Sequence, residues 1–232
     1  NAGTGQRGLD DARTCCQRVA AEMGVDAEAV LPFSTGVIGE HLPMEVLEAG
    51  IAKAAGALGE NGWADAAEGI LTTDTRPKGL SVSFSVEGTD YVVTGIAKGA
   101  GMIRPNMATM LGYLATDVAV EGQVLQQILS AATAISFNRI TVDGDTSTND
   151  ACVLVATGAA GTTPVAAIDS PLGSALSDAV QEVAVHLAQA LVRDGGGASQ
   201  FVTVTVNGGN DEQECLDVAF TIAHSPLVKT AL

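Results

Sequence analysis

The stretch from Lys98 to Leu111 carries the most chemistry in this chain, and its centre is the Ala108–Thr109 bond. A threonine hydroxyl is a poor nucleophile until a base removes its proton. Cleavage of the bond before Thr109 frees an α-amine on that same residue. Such an amine has an ordinary pKa of about 7.7–8.0 and can serve as a base near neutrality, whereas a lysine must first be shifted by burial. Ala108 is small, and Gly99 and Gly101 leave room for the hydroxyl to attack the preceding carbonyl. The same residues also make an ordinary glycine-rich turn entering a strand or helix, and on these residues alone both readings stand.

Attack on an amide creates an oxyanion, which needs preorganised donors. Ser34-Thr35-Gly36 offers a hydroxyl beside a backbone N–H, although the tripeptide is also a common loop. Arg76, Lys78, Lys98 and Arg104 are four of the eleven basic residues, and they share one window with Thr109. They read either as a solvated basic face or as a pocket for substrate carboxylates. Asp143 to Asp150 invites a calcium reading but fails the EF-hand template, with Thr148 in place of the glycine and Leu154 in place of the bidentate Glu. It reads better as a hydrogen-bonded loop. Gly99 and Gly101 lack the third glycine of a dinucleotide loop. His41, His186 and His224 lack metal-ligand spacing.

Composition bounds what must position these groups. The 232 residues suit one large domain or two small ones; 47% are apolar and 3% aromatic, so the core is aliphatic. A net charge of −16 argues against nucleic acid and anionic membrane surfaces as partners. Cys15, Cys16, Cys152 and Cys215 form no CxxC pair, which points to a reducing cytoplasm. No apolar run reaches membrane-spanning length. Helices are expected from Asp10 or Asp11 to Met23, from Pro43 to Leu58, from Gly122 to Ser136 and from Pro171 to Arg193. Ser225-Pro226 opens another. Strands are expected over 80–86 and 91–96 as a hairpin, over 109–117 and 151–156, and over 201–206 paired with 216–222 about a turn at 207–210. Strands and helices without repeated βαβ units imply an α+β fold of layered sheets flanked by helices.

Several motifs recur in one order: residues 1–5, 34–39, 67–78, the segment around Ala108–Thr109, 143–150, 193–195 and 224–230. In them the chain resembles the ArgJ family, ornithine acetyltransferases or glutamate N-acetyltransferases whose precursors cut themselves between Ala and Thr. The resemblance implies a self-processing threonine-nucleophile fold of the DmpA/ArgJ type, with the new amino terminus on a strand in a cleft. It implies that Thr109 takes acetyl from N-acetylornithine and passes it to glutamate in arginine biosynthesis. Thr35 and Gly36 take the oxyanion role, and Thr75, Lys98 and Thr109 the substrate contacts. A turn or capping hydroxyl is the other reading of Thr75. No metal or organic cofactor is implied; acetyl-CoA enters only as the co-substrate of bifunctional members. Residues 1–108 correspond to the end of an alpha chain and 109–232 to the start of a beta chain. Together they make one intertwined domain truncated at both ends, in a cytoplasmic heterotetramer of two of each. A self-processing aminopeptidase or amidohydrolase is the alternative enzyme, and an inactive, unprocessed fragment is the alternative to any enzyme.

One departure bears on specificity. Where relatives carry a substrate-contacting glutamate, this chain has Gly196, and Gln200 replaces a nearby lysine. Weaker donor binding is expected, with Asp194 the neighbouring acid available as a substitute.

Overall fold

The computed structural model describes residues 1–103 and 110–232. Arg104, Ala108 and Thr109 therefore lie outside the described residues. The chain adopts the expected α+β class, with one four-stranded sheet, among the described residues, flanked by helices.

The sheet runs β1 (Lys78–Val86), β2 (Thr89–Lys98), β3 (Leu111–Thr116), β4 (Ala151–Ala156) in space as in sequence. Alternating polar and apolar residues set β1 and β2 as the expected hairpin, which turns through Glu87 and Gly88 at positive φ. β2 pairs antiparallel with β3 from Val93↔Thr116 to Lys98↔Leu111. β3 and β4 are parallel, so the chain must cross over between them, and it does so through α4 (Gly122–Ile135).

The long helix α5 (Pro171–Arg193) lies on β1 and β2 and against α4. Ser170 caps it by accepting the Gly173 N–H, with Pro171 at the first turn where its missing N–H costs nothing. Its inner face, Leu176, Val180, Val183, Leu187 and Leu191, is fully buried against Val93, Leu114 and Ile128. Burial of each such side chain contributes about 1.5–3 kcal/mol. Contact this close requires Gly95, because a Cβ there would sit 2.7 Å from Val183 Cγ1.

The amino-terminal helices α1 (Gly5–Met23) and α2 (Met44–Gly56) pack on each other. α1 starts earlier than expected: Asp10 does not cap it but bonds Gln6 and Arg13 along the helix surface. A short helix, α3 (Trp63–Gly69), went unforeseen.

The carboxy-terminal region corrects the sequence reading. Residues 201–206 form no strand, and 216–222 lie inside α6 (Glu212–Ala223). Asp211 accepts the Glu214 N–H and Glu214 reaches back to the Asn210 N–H, as in a capping box. With its expected partner helical, the alternating segment 201–206 has nothing to pair with. α7 (Pro226–Ala231) begins at Ser225-Pro226 as expected. No helix among the described residues is long and apolar enough to cross a membrane.

Candidate functional site

The sheet register collects the residues of interest at one end. Antiparallel pairing puts the start of β1 beside the end of β2, and the end of β2 beside the start of β3. Parallel pairing then brings the start of β4 alongside the start of β3. The loop before β1 (Thr72, Asp74, Thr75), Lys98 at the end of β2, Met110 before β3 and Asp150 before β4 thus share one edge. The end of α5 adds Asp194.

Two networks occupy that edge. In the first, Asp74 and Asp194 face Lys78 and Lys98, and all four side chains are 0–2% exposed. Lys78 Nζ lies 2.6 Å from Asp74 Oδ1 and 2.5 Å from Asp194 Oδ2. Lys98 Nζ donates to Thr72 Oγ1 at 2.6 Å and stands 3.7 Å from Asp74 Oδ2. The Gly99 N–H closes on Asp74 Oδ1 at 2.6 Å. Asp194 also receives the Thr75 N–H at 3.0 Å and the Thr75 hydroxyl. Burial pushes both carboxylates up, but hydrogen bonds from Lys78 and from backbone N–H groups prevail and hold them below the usual range. Burial lowers the Lys98 ammonium, with Asp74 partly offsetting it.

The second network is the loop 143–150. Asp143 accepts the Met102 N–H at 2.6 Å and the Ile103 N–H at 2.9 Å. Asp150 Oδ1 accepts the Met110 N–H at 2.8 Å. Asp150 Oδ2 is buried and, among the described residues, has no partner. Burial pushes this carboxyl up to about 6, with the Met110 N–H pulling the other way. Asn149 Nδ2 donates to the Ser34 carbonyl at 3.0 Å, and the Phe33 ring lies 5.0 Å from that of Tyr113 on β3. The turn bearing Thr35 and Gly36 is thereby fastened to the same loop. A Cβ at Gly36 would sit 2.8 Å from Asn1 Oδ1, so the Asn1 side chain packs directly over this turn.

The structure thus brings Thr35, Gly36, Thr75, Lys98 and Gly196 to this end of the sheet. Gly196 arrives through its N–H, which donates to the Ala100 carbonyl at 2.7 Å. Its position is open: a Cβ would meet only Ala100 O, at 3.6 Å. Asp194 is not a free acid that can stand in for the missing glutamate, because Lys78 and Thr75 already hold both its oxygens. Lys78 likewise leaves the set of cations open to a ligand. The sequence reading missed Asp74, Asp143, Asn149 and Asp150 as individual contributors, though each lies in a motif it had marked. For Asp150, its place just before the apolar run of β4 was the available signal. All four cysteines are free, and burial pushes the Cys152 thiol up to about 12. Among the described residues, no group of three or more His, Cys, Asp or Glu side chains is placed to hold a metal ion.

Fold and site define an α+β protein whose polar chemistry gathers at one end of a mixed sheet, around a segment bounded by Ile103 and Met110. The chain belongs to the ArgJ family, whose profile matches residues 1–232. It is 57% identical over 232 residues to the arginine biosynthesis bifunctional protein ArgJ of Pseudomonas syringae pv. tomato. It is 56% identical over 232 residues to the protein of that name from Pseudomonas fluorescens. Both matches cover 100% of this chain and 57% of the relative, so the chain spans little more than half their length. Among solved structures, the arginine biosynthesis bifunctional protein ArgJ of Bacillus halodurans is 41% identical, with a TM-score of 0.48. That match covers 50% of this chain and 55% of the other.

Proposed function

We propose that the full-length protein is a self-processing acetyltransferase of arginine biosynthesis, acting in the cytoplasm. The Thr109 hydroxyl attacks the Ala108 carbonyl carbon, the Ala108–Thr109 C–N bond breaks as the threonine nitrogen takes up the hydroxyl proton, and water hydrolyses the resulting ester into a piece ending at Ala108 and one starting at Thr109. The two pieces stay interwoven, because β2 of the first pairs with β3 of the second and α5 of the second covers β1 and β2. The freed threonine takes acetyl from N-acetylornithine, its own amine moving the proton, and then gives the acetyl group to glutamate. Thr35 and Gly36 donate to the oxyanion, while Thr75 and Lys98 line the substrate side. No metal or organic cofactor takes part. The mature assembly holds two copies of each piece.

The observation that carries this reading is the convergence at one sheet end of the Ser34 turn and both borders of the 104–109 segment, joined by one loop. Family membership and the names of the relatives supply the substrates. The test follows [14C]acetyl-ornithine in the presence and absence of glutamate. Glutamate-dependent formation of acetylglutamate supports the proposal, whereas glutamate-independent release of free acetate makes the protein a hydrolase.

A further inference from the structure

A gap in the self-processing step leads to the loop 143–150. The α-amine that serves Thr109 after cleavage does not exist before it, so the first cut depends on how the uncut segment is held. The two described residues that border 104–109 are each fixed through both backbone groups. Ile103 receives the Val142 N–H at 2.7 Å and the Thr141 hydroxyl at 3.1 Å on its carbonyl, while its own N–H goes to Asp143. Met110 donates its N–H to Asp150 and receives the Ala151 N–H on its carbonyl at 3.1 Å. Every partner comes from residues 141–151. Met110 N is also the atom bonded to the Thr109 carbonyl carbon, so Asp150 holds the peptide group that follows the nucleophile.

We infer that Asp143 and Asp150 are positioning residues for self-cleavage, a pair of carboxylate clamps fixing the two ends of the segment that is cut. This rests on the self-processing reading and adds to it a residue-level cause. The strain expected at such a site is present in the backbone. Met102 has a φ of 53°, in the left-handed region that a non-glycine residue occupies only at a conformational cost. Its N–H bond to Asp143 holds it there. Asp150 is also an awkward residue for mere packing. It lines an apolar cavity of about 260 Å³ with Ile103, Met110, Leu129, Phe137 and Cys152, and one oxygen there has no partner among the described residues.

The clamp geometry makes unequal demands on two similar substitutions. Asp150 uses one oxygen, so Asp150→Asn keeps its acceptor. Asp143 uses both, so Asp143→Asn must release either Met102 or Ile103. The experiment synthesises the full-length precursor in a cell-free system and follows appearance of the chain beginning at Thr109 by intact mass. Asp150→Ala is expected to slow cutting by roughly tenfold to a hundredfold, the scale on which misplacement of a reacting group acts. Asp150→Asn should stay within about threefold of wild type, with Asp143→Asn between the two. Asp145→Asn, on the same loop but holding Asp143 through its backbone N–H, should cut at the wild-type rate. Rescue by Asn at 150 but not at 143 separates clamping from stability, since removing the buried charge at 150 does not weaken the fold. Should Asp150→Ala fail to fold, the ordering of the two Asn variants still decides. Wild-type cutting rates in both Asp150→Ala and Asp143→Asn overturn the inference alone. A wild-type chain that is never cut overturns the self-processing reading and this inference together.

Discussion

Two carboxylate-rich regions meet at the same end of the sheet and use the same residue type in opposite ways. Asp74 and Asp194 face Lys78 and Lys98, so two negative and two positive charges are buried together and satisfy one another. Asp143 and Asp150 face backbone N–H groups, and one oxygen of Asp150 is left over. The first arrangement locks the loop before β1 to the ends of β2 and α5. The second fixes two chain ends while keeping a carboxylate that burial disfavours. The two regions thus differ in whether the local charge closes.

If that contrast is right, the largest effect belongs to the closed network. Asp74→Asn leaves two buried ammonium groups to one carboxylate and should cost about 3–5 kcal/mol in urea unfolding, as loss of one partner of a buried pair does. An exposed-loop change such as Asp145→Asn should stay within about 0.5 kcal/mol. Equal losses at both positions would erase the distinction between the regions.

The two regions should also respond to pH with opposite signs. Asp74 and Asp194 are held below the usual carboxylate range, so their contribution is present above about pH 4 and is lost as pH falls further. Burial pushes the Asp150 carboxyl up to about 6, well above the ordinary carboxylate range. The folded state therefore holds that proton more tightly, and wild type loses stability as pH rises from about 4 through 6. Cys152 lines the same cavity and stays neutral throughout this range. Asp150→Asn should match wild type near pH 4 and be the more stable of the two at pH 7. A constant difference across that range would show that Asp150 is not the group responsible.

The smallest effect sharpens the substrate side. Gly196 is open and Asp194 is fully engaged, so no acid in this pair is free for a cationic donor. Gly196→Glu in the full-length enzyme should lower the KM for N-acetylornithine about tenfold, the size of one charged hydrogen bond. An unchanged KM would mean that the donor is held elsewhere.

Much of this fold was legible because local signals agreed with one another. Ser170-Pro171 opens α5 and a glycine run follows its end, so its bounds could be read directly. The compact apolar run 151–156 became β4 as expected. The region after residue 200 misled because Leu216, Val218, Phe220 and Ile222 are β-formers at alternate positions. The cap that Asp211 and Glu214 form overrides that alternation and starts a helix instead. In the site, motif order pointed to the right loops, but pairing across long separations was invisible. Nothing local in the sequence says that Asp194 meets Lys78, or that Asn149 meets Ser34. Those contacts exist only once the register of four strands has aligned their ends.

The most direct measurement is the intact mass and amino-terminal sequence of the purified full-length protein, beside its Thr109→Ala variant. Wild type should give two polypeptides, one ending at Ala108 and one beginning Thr-Met-Leu-Gly, and the variant a single unbroken chain. A wild-type chain that stays whole after prolonged incubation, or a cut that persists in Thr109→Ala, would contradict self-cleavage by Thr109.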